Sequence, residues 1–355
     1  MNWLAGLIDR VAAQSTTDWT FVERLPDPGL GIADRAIEPD ECYIEIFVES
    51  LRLKQARRLA TAFHGVVYLF ARLSQQGDED AEMAAVSKPA KLAELDSTNL
   101  DRVITVSSQM MGAVPWRGGT LGLELGLFSV KKGNLLSPLI DYVTRVSAQG
   151  GISFIGQVKP FLPLITEGMD LIAGQTSDSV IEVALDTDMA LSESRLCAIV
   201  AVPKGGINTA KLTLDPSDRK LLIDGRPLEE GYCVFSIRRS DKKADYGAIP
   251  ELKAAFGALR SAIAANDTAQ SERALAAFRR SVIISSDLIP ADKNRLIEKA
   301  TALHAAALGS GPIAVGRAET AILDVGASEL ADLDLYDETG SGGPDGKESR
   351  GTGSW

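Results

Sequence analysis

Residues 120–130 read Thr120-Leu121-Gly122-Leu123-Glu124-Leu125-Gly126-Leu127-Phe128-Ser129-Val130. Leu121, Leu123, Leu125 and Leu127 alternate strictly with Gly122, Glu124, Gly126 and Phe128, the pattern of a strand with one face on a core. Val103–Val114 is a second strand candidate, and Pro115-Trp116-Arg117-Gly118-Gly119 between the two reads as a hairpin turn. Upstream, Ile44, Ile46 and Val48 alternate with Glu45, Phe47 and Glu49 inside Cys42–Leu53, and Phe63–Leu73 is dense in β-formers. Strands this close, without helices of βαβ length between them, predict an antiparallel β-sandwich over residues 41–134.

On either side the pattern changes. Residues 1–40 open with an amphipathic helix, whose Trp3, Leu4, Leu7, Ile8 and Val11 share one face. An irregular lead-in with Pro26, Pro28, Gly29, Gly31 and Pro39 follows. Residues 135–175 read as a helical connector, Leu135–Val146 and Phe161–Ala173, split by Gly150-Gly151. Residues 176–248 read as a second β-rich unit, with short runs at Val180–Leu185, Leu196–Val202, Ala210–Leu214, Lys220–Ile223 and Tyr232–Ile237. Asp215-Pro216-Ser217-Asp218 and Asp224-Gly225-Arg226-Pro227 mark turns there.

Residues 249–309 turn helical, with stripes Leu252/Phe256/Leu259/Ile263, Leu275/Phe278/Val282/Ile283 and Leu296/Ala300/Leu303/Ala307. Pro290 sits just inside the start of the third helix and Gly309 just past its end. Residues 310–355 form an acidic, flexible tail, expected to be disordered, that carries nine acids and three bases, −6 of the net −11. The fold class is thus mixed α+β: sandwich, connector, second β-rich unit, three-helix segment and tail.

Most chemistries find no motif. The acidic balance argues against gripping nucleic acid by bulk charge. Cys42, Cys197 and Cys233 lack the spacing of a disulfide framework or zinc knuckle, and read as buried reduced thiols of a cytoplasmic protein. No apolar stretch reaches the length of a membrane span; Val146–Val158 is the longest without charge.

Gly311–Gly316 is followed by Arg317-Ala318, not the Lys-Ser/Thr of a phosphate loop, and Gly151–Gly156 has the wrong spacing for a nucleophile elbow. Asp332, Asp334, Asp337 and Glu338 lack the glycine and distal acid of a calcium loop, and Asp186 with Asp188 reads as a solvated loop pair. His64 and His304 read as structural. The basic groups Arg52/Lys54/Arg57/Arg58, Arg238/Arg239/Lys242/Lys243 and Arg279-Arg280 read as solvated faces. No catalytic residue, metal site or cofactor is expected.

The tail is the exception. Leu330, Leu333, Leu335 and Tyr336 are interleaved with Asp332 and Asp334, and a further apolar residue, Trp355, ends the chain. Charge keeps such a segment in water while its apolar side chains stay available for a groove. The expected function is a non-catalytic binding or assembly component that contacts a protein partner through these seven residues. Two alternatives stand beside it: a hydrolase with a carboxylate site between the β-rich units, and conditional membrane action through residues 1–14 and 135–173, with Trp3, Leu4, Leu7 and Ile8 as a peripheral contact.

Overall fold

The computed structural model describes residues 19–54, 57–58, 61–74, 80–86, 103–131, 179–309 and 329–336. These fall in two units: one runs to Ala244 and includes Ile284–Ala291, the other comprises Asp245–Ile283 and the residues from Asp292 on.

The first unit is built of antiparallel sheets. Its strands are β1 (Thr20–Leu25), β2 (Tyr43–Arg52), β3 (Arg57–Arg58), β4 (Thr61–Leu73), β5 (Ala81–Val86), β6 (Val103–Pro115), β7 (Thr120–Lys131), β8 (Ser179–Ala190), β9 (Arg195–Val200), β10 (Leu212–Leu214), β11 (Leu221–Ile223), β12 (Arg226–Pro227) and β13 (Tyr232–Ser240). One sheet has the order β1-β9-β13-β2-β6; a second has β3-β4-β7-β8 with β5 on β4; a small third has β10-β11-β12.

The alternation read from residues 120–130 is what joins the two large sheets. Leu121, Leu123, Leu125 and Leu127 share one core with Val67 and Leu69 of β4, Ile44, Ile46 and Val48 of β2, and Phe235 and Ile237 of β13. Strand β9 explains why Leu196–Val200 reads as a continuous apolar run. Its Cys197 and Ile199 enter that core, while Leu196, Ala198 and Val200 face a second cluster with Leu212, Leu214 and Leu221 of the small sheet. A strand buried on both faces has no polar side to show. Asp224 and Gly225, both at positive φ (51° and 75°), close the two-residue hairpin between β11 and β12, as an Asp-Gly pair does.

Several expectations are corrected. The stretch Pro115–Gly119 is not a hairpin turn: β6 pairs with β2 and β7 pairs with β4 and β8, so the chain crosses from one sheet to the other. Buried Trp116 fixes that crossing, its N–H donating to Cys42 O at 3.0 Å. Residues 176–248 are not a separate β-rich unit. Strand β8 extends the sheet of β7, and β9 and β13 lie between β1 and β2. Alternation reveals that a segment is a strand but not which neighbour it pairs with.

Thr20–Leu25, expected to be irregular, is edge strand β1 against β9. Asp186 and Asp188 lie in strand β8, not in a loop, with Cα partners Glu124 and Gly122. The N-terminal helix, the 135–175 connector and most of the tail lie outside the described residues.

In the second unit the three expected helices are present: α1 (Pro250–Ala264), α2 (Thr268–Ile284), whose last residue belongs to the first unit, and α3 (Pro290–Ala307), which starts in it. Prolines at the first positions of α1 and α3 lose no intrahelical hydrogen bond there. Each stripe differs from its expectation: Ala262 is buried where Ile263 was expected in α1, Ile283 is exposed at the end of α2, and His304 is buried in α3 where Leu303 and Ala307 are only half-buried.

Candidate functional site

Ahead of α1, Tyr246–Ala248 forms a single 3-10 turn, and residues 329–336 lie against it and against α1. The Tyr246 hydroxyl reads the backbone of that segment twice. It donates to Ala331 O at 2.8 Å and accepts from the Leu335 N–H at 3.3 Å. Burial pushes this hydroxyl's pKa up, the Leu335 N–H draws it down, and the nearby Asp334, Asp332 and Asp292 add to the rise. It therefore stays protonated, as a donor must.

Gly247 permits the close approach. A Cβ built there would lie 2.7 Å from Ala331 Cβ and 2.9 Å from its Cα and N, inside any tolerated contact.

Helix α3 supplies the polar side of the dock. Asp292, in its first turn, is fully buried and accepts from Arg295 Nη1 at 2.9 Å and from the Tyr336 hydroxyl at 2.6 Å. The Tyr336 ring meets Tyr246 edge-on, centroids 6.2 Å apart, and the Arg295 guanidinium lies 6.0 Å from its centre. Lys299 Nζ donates to Asp334 O. The segment holds its own shape through a 3-10 turn, Leu330–Leu333. In its capping box, Asp332 accepts from the Glu329 N–H, and Asp334 at its end takes a left-handed conformation (φ 45°).

Of the seven tail residues singled out in the sequence, six are in this dock. Leu330 and Leu335 are buried at 1% and 3% exposure, Leu333 and Tyr336 are half-buried, and Asp332 and Asp334 are exposed. Trp355 lies outside the described residues. The receiving residues Tyr246, Gly247, Asp292, Arg295 and Lys299 carry no sequence signal of their own. They come from a turn and a helix over forty residues apart, and only folding brings them together.

The other candidates lie apart from residues 329–336. His304 Nε2 and Ser271 Oγ are 3.0 Å apart across α3 and α2. Ser271 donates to Thr268 O, so the imidazole is the donor and has no lone pair to offer as a base at that nitrogen. Arg279 Nη2 donates to Thr301 Oγ1 at 2.8 Å, tying the same helices.

The Arg238–Lys243 run is only in part a solvated face: Lys242 is exposed, the other three basic residues are not. Lys243 is fully buried and donates to Ala113 O, Arg239 pairs with Asp241, and Arg238 stacks 4.2 Å over the Phe47 ring while pairing with Glu49. Glu49, fully buried, also takes Arg219 and accepts from Ser236 Oγ at 2.5 Å. Cys42, Cys197 and Cys233 are buried free thiols; burial raises the pKa of each, that of Cys233 to about 12. His64 is on β4, its Cα opposite that of Val130.

One buried acid stands out in the first unit. Burial raises the pKa of the Glu182 carboxyl, against which it accepts from the Lys54 N–H at 3.0 Å and from the Ser129 hydroxyl. Lys54 Nζ itself pairs with Glu230 at 3.0 Å. Strands β8, β9 and β13 of residues 176–248 complete sheets shared with those of residues 41–134.

No family model, curated protein or solved structure matches this chain. Among the described residues no helix is long and apolar enough to cross a membrane.

Proposed function

We propose that the protein is a non-catalytic, cytoplasmic binding or assembly component with a protein partner, in which residues 329–336 are the recognition element. The two sheets sharing one core are read as a β-sandwich that serves as scaffold. The observation that supports this is the dock itself. A short acidic-apolar segment is held by backbone hydrogen bonds to a buried tyrosine, by two buried leucines and by one aromatic anchor on a carboxylate. That combination, main-chain bonds for affinity and side-chain pockets for specificity, is how folded surfaces take up linear peptides.

The test uses the full chain with Leu330→Asp and Leu335→Asp, which empties the face without touching it. A fluorescein-labelled peptide of residues 327–338 is expected to bind this variant at roughly 30–200 µM and to bind the unsubstituted chain about five- to thirtyfold more weakly, as a tethered competitor at millimolar effective concentration dictates. A peptide that binds neither protein, or both equally, ends the reading.

A further inference from the structure

We infer that the face formed by Tyr246, Gly247, Asp292, Arg295 and Lys299 takes residues 329–336 from a second copy of this chain, so that copies assemble by exchanging the segment. The inference rests on the functional reading above and names its partner.

Three observations carry it. First, the occupant's chemistry is already defined. Every copy presents the same Leu330, Leu335 and Tyr336, so the contacts made between copies are those seen within one.

Second, the segment is joined to the helices it docks on only through residues 310–328. Nineteen residues reach up to about 65 Å when extended, so the covalent connection does not dictate whose face is filled.

Third, the dock is small. Two buried leucines, one edge-on ring pair and four hydrogen bonds to the body (Ala331 O, Leu335 N, Tyr336 Oη and Asp334 O) make a contact whose occupancy depends on local concentration. A tether supplies an effective concentration of order millimolar. Crowding of copies at comparable concentration therefore shifts segments from their own face to a neighbour's.

Gly247 makes the inference testable with one methyl group. Gly247→Ala blocks the face, because its Cβ would overlap Ala331, and leaves the segment intact. Leu330→Asp with Leu335→Asp disables the segment and leaves the face intact. Each full-length variant alone can dock neither within itself nor with its own kind, and each is expected to sediment as a 37.8 kDa monomer.

Mixed one to one at about 100 µM, the blocked chain's segment enters the empty face of the other. The mass is expected to rise toward twice the monomer's. A second pair, Tyr246→Phe with Leu335→Ser, repeats the test with gentler changes.

A mixture that stays monomeric, at concentrations where the labelled peptide saturates the segment-disabled variant, overturns exchange between copies and leaves peptide recognition standing. A mixture that stays monomeric with no peptide binding removes both. A heterodimer that persists when Gly247→Ala is added to the segment-disabled chain places the interface elsewhere and likewise overturns the inference.

Discussion

Glu49 in the first unit and Asp292 in the second are both fully withdrawn from water, and they meet their partners in different ways. Glu49 is held by Arg219, Arg238 and Ser236, all from the sheet region in which it is built. Asp292 is held by Arg295 one turn along its own helix and by Tyr336, which arrives on a segment connected through nineteen intervening residues. The first arrangement comes apart only when the sheets do. The second can lose Tyr336 while α1–α3 stay folded. One carboxylate is part of the scaffold, and the other is half of a contact that can be made and broken.

The largest expected effect lies on the scaffold side. Glu49→Ala leaves two arginines, roughly three-quarters buried, facing each other without their counter-charge. Breaking a buried pair from one side costs about 3–5 kcal/mol, and the partial exposure of both guanidiniums favours the lower end. Urea unfolding of the variant is expected to show a lower midpoint at unchanged slope. A midpoint within error of the unsubstituted chain would mean the arginines reach water or another acid, and the contrast with Asp292 would dissolve.

A smaller effect is expected at the dock, although the side chain removed is just as buried. Leu→Ala in a closed core costs about 2–5 kcal/mol because the cavity persists. Leu335→Ala can instead release the segment, so its cost is capped at the docking free energy, about 1–2 kcal/mol for a contact of this size. Hydrogen exchange separates the two outcomes. Protection of the Leu335 N–H, now bonded to Tyr246, should be lost, while amides of β9 and β13 keep theirs. A global loss of protection would show that the segment belongs to the scaffold after all.

The same contrast governs what could be read from the sequence. Helices α1–α3 were legible because their 3.6-residue stripes begin at Pro250 and Pro290 and end at Gly309. Strand β7 was legible because its leucines alternate for eight residues. Pairing was not, since alternation is identical whether a strand turns back on its neighbour or crosses to another sheet, and the Pro115–Gly119 crossing looks like any turn.

Edge strand β1 was hidden by the prolines and glycines that follow it, and the burial of Lys243 by the charged run around it. At the site, the acidic-apolar segment was visible by composition. Its receptor was not, because a tyrosine, a glycine, an aspartate, an arginine and a lysine acquire meaning only when a turn and a helix meet.

The smallest effect, and the one that sharpens the comparison with a third kind of buried acid, concerns Glu182. Its carboxyl relies on the Lys54 N–H and the Ser129 hydroxyl, while the Lys54 ammonium is engaged with Glu230. Burial outweighs these partners, so the folded chain holds this proton to higher pH than the unfolded chain, whose carboxyl titrates near 4.5. Between the two values the folded state binds more protons than the unfolded, so this group's contribution to stability falls as pH rises through that window and levels off above it.

Glu182→Gln removes the titration but keeps an oxygen for the Lys54 N–H. The difference in unfolding free energy, variant minus unsubstituted chain, should therefore climb as pH rises from the unfolded value near 4.5 through the raised folded one and then flatten, the other carboxyls cancelling in the subtraction. A flat difference would place the Glu182 carboxyl in contact with water. A difference that falls with pH would mean that Lys54 and Ser129 hold it as firmly as the arginines hold Glu49.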